Sequence, residues 1–211
     1  IAFDGDADRC LAVDENGVLI DGDQIMAACG LDMMGKGTLS GNTIVATVMS
    51  NLGLHVYAKE HGMNLECTSV GDRNVLERML EKGYKLGGEQ SGHMIFLDYA
   101  TTGDGQLTAL QMLALLKESG KKASEVFGTC PRYPQVLINI PVADNDVKKA
   151  VMASPLLAQA VEREEAALAG EGRVLVRPSG TEALMRVMVE ARTEDTARTV
   201  ASRLADLIAG L

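Results

Sequence analysis

Short apolar runs rich in β-branched residues alternate along the chain with longer stretches whose apolar positions recur every three or four residues. Residues 1–20 read as two short strands joined through Asp14-Glu15-Asn16-Gly17, where Asn-Gly is a strong hairpin signal. Asp21-Gly22-Asp23 reads as a helix cap. Residues 24–34 then form a helix with Ile25, Ala28, Cys29 and Met33 on one face, ended by Gly35 and Gly37. Thr43 to Val48 is a buried strand by its β-branched content. Ser50-Asn51 caps a helix to about His61, Leu65 to Val70 is a strand, and Asp72 caps a helix that Gly83 closes. Tyr84 to Gly87 and Met94 to Leu97 are strands flanking a glycine-rich loop. Asp104 to Ser119 is an amphipathic helix with Leu107, Leu110, Leu113 and Leu116 among its apolar positions.

The pattern changes near Pro131, where Arg132-Tyr133-Pro134 reads as a linker. Beyond it, Gln135 to Val142 is a strand, and helical stretches cover 146–152 and, after Pro155, 156–169. Arg173 to Arg177 and Leu184 to Ala191 are strands, and a last helix starts at Thr193 or Glu194. The fold class predicted is a mixed-sheet three-layer α/β domain followed by a small α+β domain. No internal repeat or low-complexity segment interrupts it.

Composition narrows the function classes. Of 211 residues, 46% are hydrophobic and 23% charged, which predicts a globular core. A net charge of -9 removes the basic footprint that a nucleic-acid partner requires, so an anionic ligand must be held by local arginines and a metal. No apolar run approaches the roughly 20 residues of a membrane span, and no stretch reads as a signal peptide. Cys10, Cys29, Cys67 and Cys130 form no CxxC pair, so reduced thiols and a cytoplasmic location are expected. The chain begins with Ile1, inside what reads as a strand, which predicts a piece of a longer polypeptide.

Three loops carry candidate chemistry. In the first, Asp4, Asp6 and Asp8 stand at alternate positions directly after an apolar run. Three carboxylates on a loop leaving a strand suit a hard divalent cation, Mg²⁺, Ca²⁺ or Mn²⁺. Arg9 suggests a phosphate as the further ligand. An acidic surface turn is the plainer alternative. An EF-hand calcium loop fits Asp4, Asp6, Asp8 and Glu15, but its sixth position needs glycine and is Arg9 here. In the second loop, glycines frame Glu89, Gln90, Ser91 and His93: a carboxylate and a hydroxyl able to read sugar hydroxyls, and an imidazole able to move a proton. Taken alone it is equally a glycine-rich turn with polar decoration. The third, Arg177-Pro178-Ser179-Gly180-Thr181-Glu182, has the chemistry of a phosphate cradle, with Arg186 on the next strand, or of an ordinary hairpin. Metal site, polyol reader and phosphate clamp together are what a phosphosugar enzyme needs.

Asp-Gly-Asp-Ala-Asp-Arg (4–9), Gly-Glu-Gln-Ser-Gly-His (88–93) and Arg-Pro-Ser-Gly-Thr-Glu (177–182) resemble, in order and spacing, the motifs of the α-D-phosphohexomutases, and the resemblance covers the whole chain. Residues 47–51, 70–73 and 101–105 resemble the branch acting on glucosamine phosphates more than those acting on mannose or glucose phosphates. The resemblance implies a four-domain enzyme that interconverts glucosamine 6-phosphate and glucosamine 1-phosphate, on the route to UDP-N-acetylglucosamine and cell wall. It does so through a phosphoserine and a bisphosphorylated sugar. Asp4, Asp6 and Asp8 would bind Mg²⁺, and Arg9 would contact the transferring phosphoryl group. Glu89 and Ser91 would read sugar hydroxyls, with His93 as a proton carrier. Arg177, Ser179, Gly180 and Thr181 would hold the other phosphate, supported by Arg186.

The serine loop of that family, of the Thr-Ala-Ser-His-Asn-Pro kind, occurs nowhere in these residues. The resemblance therefore implies the tail of a second domain (1–19), a third domain (20–130) and a fourth (131–211). Its partners would be a phosphosugar and the N-terminal half of the same polypeptide, and it leaves a homodimer open. Such a piece is expected to be inactive alone. A non-catalytic sugar-phosphate module and a sibling mutase for mannose or glucose phosphates are the competing readings.

Overall fold

The computed structural model describes residues 1–211. They divide into two compact units, Ile1–Arg132 and Tyr133–Leu211.

The first unit opens with a small antiparallel sheet, β1 (Ala2–Phe3), β2 (Cys10–Val13) and β3 (Leu19–Ile20). The Asn16-Gly17 turn joins β2 to β3: the Asp14 carboxylate accepts from the Asn16 and Val18 amides, and Gly17 takes φ 79°. Then come α1 (Gly22–Gly35), β4 (Thr43–Thr47), α2 (Leu52–Glu60), β5 (Asn64–Thr68), α3 (Asp72–Lys82), β6 (Leu86–Gly88), β7 (Met94–Phe96), α4 (Gly105–Ser119) and α5 (Ala123–Phe127).

The main sheet has the order β5-β4-β6-β7. β4 runs parallel to β5 and β6, and β6 pairs antiparallel with β7. Every residue of β4 is buried. Ile44 and Ala46 enter a core shared with α1, α2, α4 and α5, whereas Val45 packs with Val75 and Met79 of α3. That division follows from the alternation of side chains along a strand, and it makes the unit three-layered. β4 is a run of apolar and threonine residues with no polar face because helices cover it on both sides.

The second unit holds β8 (Gln135–Pro141), α6 (Asn145–Met152), α7 (Pro155–Leu168), β9 (Gly172–Pro178), β10 (Leu184–Ala191) and α8 (Glu194–Ala209). Its sheet is antiparallel, in the order β8-β10-β9, and α8 packs against it through Ala197, Val200, Ala201, Leu204 and Ile208. The Glu190 carboxylate, fully buried on β10, meets Arg173 of β9 at 2.7 Å, so the charge enters the interior already paired.

Four local expectations need correcting. Asp72 does not cap α3; it is the first helical residue, and Gly71 at φ 125° stands at the cap. The strand expected over 65–70 is Asn64–Thr68. α5 has no counterpart in the sequence reading; five residues are too few to show a period. On α4, Leu110 and Leu113 are 64% and 49% exposed, and the buried positions are Gly105, Thr108, Ala109 and Met112. Leu107 and Leu116 do pack against the core, so the expected stripe is right at two of its four leucines.

Candidate active site

The Asp-rich loop is held at its two ends. Phe3 pairs with Cys10 across β1 and β2, so residues 4–9 form the bend between them. Ala7, at φ 58°, lets the chain double back, and its amide donates to the Asp4 carbonyl at 3.2 Å. Ligand oxygens of Asp4, Asp6 and Asp8 all lie within 4.8 Å of one another. The Oδ1 of Asp8 is buried and accepts no hydrogen bond. A buried carboxylate oxygen without a donor is costly unless a cation reaches it. The site therefore fits a divalent ion both in its donor set and in its unmet acceptor. Arg9 supplies partial compensation: its Nε lies 3.5 Å from Asp4 and 3.9 Å from Asp8.

The glycine-rich loop closes on itself and on the first. The Glu89 amide donates to the His93 carbonyl at 2.9 Å, and the Gly92 amide to Glu89 at 3.0 Å. The Cys10 amide donates to Gly92, and Arg9 forms a β-bridge with His93. His93 is 4% exposed. Its Nε2 accepts from the Gly103 amide at 3.1 Å, so the ring proton sits on Nδ1 and is donated to the Asp8 carboxylate at 2.9 Å. Gly103 is required by this packing: a Cβ there would lie 2.3 Å from the imidazole Cε1. Glu89 turns one oxygen to the Gly71 amide at 3.1 Å.

Behind this loop stands the start of α1. Asp21 accepts from the Asp23 and Gln24 amides, and Gln24 returns a bond to the Asp21 amide, a complete capping box. Gly22 donates to the Gln90 carbonyl, and any Cβ at Gly22 would stand 2.0 Å from the Glu89 carbonyl. Asp23, 2% exposed, accepts from the Asn51 amide at 2.7 Å and from Gln90 Nε2 at 2.9 Å. Burial pushes its pKa up to about 7, against the hydrogen bonds from Asn51, Ser50 and Gln90. Burial likewise raises Asp21. A cavity of about 380 Å³ opens in front, lined among others by Asp21, Thr47, Glu89, Gln90, Ser91 and Arg132.

In the second unit the loop between β9 and β10 gathers the remaining candidates. Arg177 and Arg186 are cross-strand partners. Desolvation, and then the neighbouring Arg186, holds Arg177 below the usual arginine range. Arg186 bonds Glu182 at 2.6 Å, while its buried Nε has no partner. Two adjoining guanidiniums with an unmet donor suit an anion. Gly180 and Thr181 are exposed; Ser179 is buried, and its hydroxyl accepts from the Glu182 amide at 3.2 Å.

The profile described as Phosphoglucomutase/phosphomannomutase, alpha/beta/alpha domain III, matches residues 21–133, more than half of the chain. The chain belongs to the phosphoglucomutase/phosphomannomutase family. The C-terminal domain of the same family matches residues 137–207. Phosphoglucosamine mutase of Saccharopolyspora erythraea is 55% identical over 211 residues, all of this chain and 47% of its own length. Phosphoglucosamine mutase of Ruminiclostridium cellulolyticum is 57% identical over 209 residues, 99% of this chain and 46% of its own. The chain thus spans about half the length of the curated relatives it matches. Among solved structures, Aspergillus fumigatus N-acetylphosphoglucosamine mutase superposes with a TM-score of 0.83 at 23% identity, over 99% of this chain and 47% of that one. The same fungal enzyme in complex with GlcNAc-6P and magnesium gives 0.81 at 24%, over 99% and 48%. At such identities the likeness speaks to the phosphohexomutase fold alone.

The geometry brings Asp4, Asp6, Asp8, Arg9 and His93 together, with Glu89 and Ser91 on the same loop as His93. Arg177, Ser179, Gly180, Thr181 and Arg186 form a separate group in the second unit. His93 has both ring nitrogens engaged and almost no exposure, and the Ser179 hydroxyl is taken up by the Glu182 amide within its own loop. The sequence reading gave Asp23 only as part of a helix cap and did not pair it with Gln90; the repeated acid–glycine–acid pattern of residues 21–23, so close to the first, was the available signal.

Proposed function

We propose that this phosphohexomutase chain carries the metal, sugar and distal-phosphate determinants of a phosphoglucosamine mutase, which interconverts glucosamine 6-phosphate and glucosamine 1-phosphate. The observation that carries it is the seating of the Asp-rich loop on the glycine-rich loop through Asp8 and His93, the same glycine-rich loop whose Glu89, Gln90 and Ser91 line a cavity. Relatives above 50% identity named phosphoglucosamine mutase support the sugar.

Asp4, Asp6 and Asp8 hold Mg²⁺, which supplies charge neutralisation for a transferring phosphoryl group. Arg9 steadies that group. Glu89 has one carboxylate oxygen tied to Gly71 and offers the other to vicinal hydroxyls, beside the exposed Ser91. Arg177, Arg186 and the amides of Gly180 and Thr181 hold the phosphate that does not react. Residues 1–19 are the end of the preceding domain, 20–130 the sugar-reading domain and 131–211 the phosphate domain. The donor phosphoserine comes from a segment that these residues do not include. Phosphoryl transfer is mostly positioning around a donor phosphate, so the 211-residue chain alone does not turn over.

The test is a mutase assay with glucosamine 6-phosphate, run with the chain alone and with an added N-terminal half from a phosphoglucosamine mutase. Turnover only in the mixture is expected, at the expense of mannose 6-phosphate. Turnover by the chain alone, or preference for mannose 6-phosphate, would overturn the proposal.

A further inference from the structure

Lys148 lies on α6, is 7% exposed, and has no carboxylate partner. A lysine this deeply buried is normally ion-paired. The nearby acids are committed elsewhere: Asp144 caps α6 and Asp146 takes Lys149. The Lys148 ammonium instead donates to two backbone carbonyls of the phosphate loop, Ser179 at 2.8 Å and Glu182 at 2.5 Å. The contact spans 31 and 34 residues of chain, so it is tertiary.

Its consequence follows from peptide planarity. In a trans peptide the carbonyl of one residue and the N–H of the next point in opposite directions, and no cis peptide occurs here. A cation that draws the Ser179 and Glu182 carbonyls inward therefore turns the Gly180 and Ala183 N–H groups outward. Gly180, Thr181 and Ala183 are exposed, and none of their amides donates to another backbone group. The outward Gly180 and Ala183 amides flank the exposed Gly180-Thr181 turn as donors for an anion, and the buried ammonium adds positive charge from beneath, where low polarisability weakens screening.

We infer that Lys148 is a positioning residue of the anion site: through the Ser179 and Glu182 carbonyls it sets the loop with the Gly180 and Ala183 amides facing out, and it contributes charge that Arg177 and Arg186 do not. The inference rests on the phosphate reading of that loop.

The full 211-residue chain, ¹⁵N-labelled, should be titrated with inorganic phosphate and with glucosamine 6-phosphate. In the unsubstituted chain the Gly180 and Thr181 amide resonances shift. Lys148→Met weakens binding at least tenfold and flattens its dependence on salt, which a purely structural contact would not do. Lys148→Gln keeps an N–H donor for the carbonyls but lacks the charge, and it decides the matter if Lys148→Met fails to fold; it too binds several-fold more weakly. Equal binding by the neutral variants sinks the role of Lys148 while leaving the phosphate loop intact. Shifts confined to Asn145 and Lys149, which line the cavity of about 380 Å³ on the helix side of the loop, sink it as well. No response from the unsubstituted chain, matched by Arg177→Ala, overturns the phosphate reading itself and this inference with it.

Discussion

His93 donates its Nδ1 proton to Asp8 at 2.9 Å across 85 residues of chain, and this bond joins the two loops of the first unit that carry chemistry. The Arg9–His93 bridge aligns the two backbones beside it, and the Gly103 amide holds the ring at Nε2. A carboxylate held in this way has one oxygen committed and the other, Oδ1, presented without a donor.

Replacing Asp8 with Asn should therefore lower the affinity of the chain for Mn²⁺ or Mg²⁺ at least tenfold, since one carboxylate of three is lost at its best-oriented member. Mn²⁺ titration of the unsubstituted chain should broaden the His93 resonances first. Equal affinity in Asp8→Asn would mean that the ion binds elsewhere.

Gly103→Ala forces a methyl to 2.3 Å from the imidazole. The ring must tilt, and its bonds to Gly103 and Asp8 weaken together. A loss of roughly 2–3 kcal/mol in urea unfolding is expected, from overpacking plus a disturbed buried hydrogen bond. Metal affinity should fall in the same variant, although Gly103 is not a ligand.

Gly22→Ala places its Cβ 2.0 Å from the Glu89 carbonyl and 2.9 Å from the Gly92 nitrogen, both backbone atoms that cannot rotate aside. The expected cost is about 3 kcal/mol, with the chemical-shift changes concentrated in residues 88–93. Changes confined to α1 would show that the helix start does not support the loop.

Asp23 sets a pH dependence. Its folded pKa, about 7, lies above the ordinary 3.8. For a carboxyl raised on folding, the neutral form is favoured in the native state, so the stability it contributes is fully present below about pH 4 and is lost as pH rises to about 7. At about 1.4 kcal/mol per unit, the unsubstituted chain should lose up to about 4 kcal/mol across that window relative to Asp23→Asn. Urea midpoints of the two proteins at pH 4.5 and pH 8 (roughly either side of the titration) measure it. A stability difference between them that does not change with pH would show that Asp23 ionises freely in the folded chain.

Cys67 is the exposed thiol; Cys10, Cys29 and Cys130 are buried, and burial raises the pKa of each, that of Cys29 to about 12. Iodoacetamide at pH 7.5 should label Cys67 alone in the native chain and all four cysteines in urea. Labelling of a second site without denaturant would place one of those cores in exchange with an open form.

Most of the fold could be read along the chain because its signals are local. The Asn16-Gly17 hairpin, the Asp104 cap of α4, Pro155 at the start of α7 and the β-branched run at Thr43–Thr47 each depend on residues within a few positions of one another. The same holds for the chemical identity of the three loops: alternate aspartates, a glycine-framed Glu89 and Ser91, and an Arg-Pro-Ser-Gly turn are visible as residue types. What each polar atom does was decided by distant chain segments. The partners of the His93 ring, Asp8 and Gly103, lie 85 and 10 residues away along the chain. Asp23 reads as a helix-start acid until Gln90, 67 residues on, and Asn51 bury it. Nothing in the residues around Lys148 announces that the Ser179 and Glu182 carbonyls, 31 and 34 residues on, enclose it. Local sequence determines backbone preference and the inventory of groups. Burial, partner and therefore charge state arise only when segments far apart in the chain exclude water from one another.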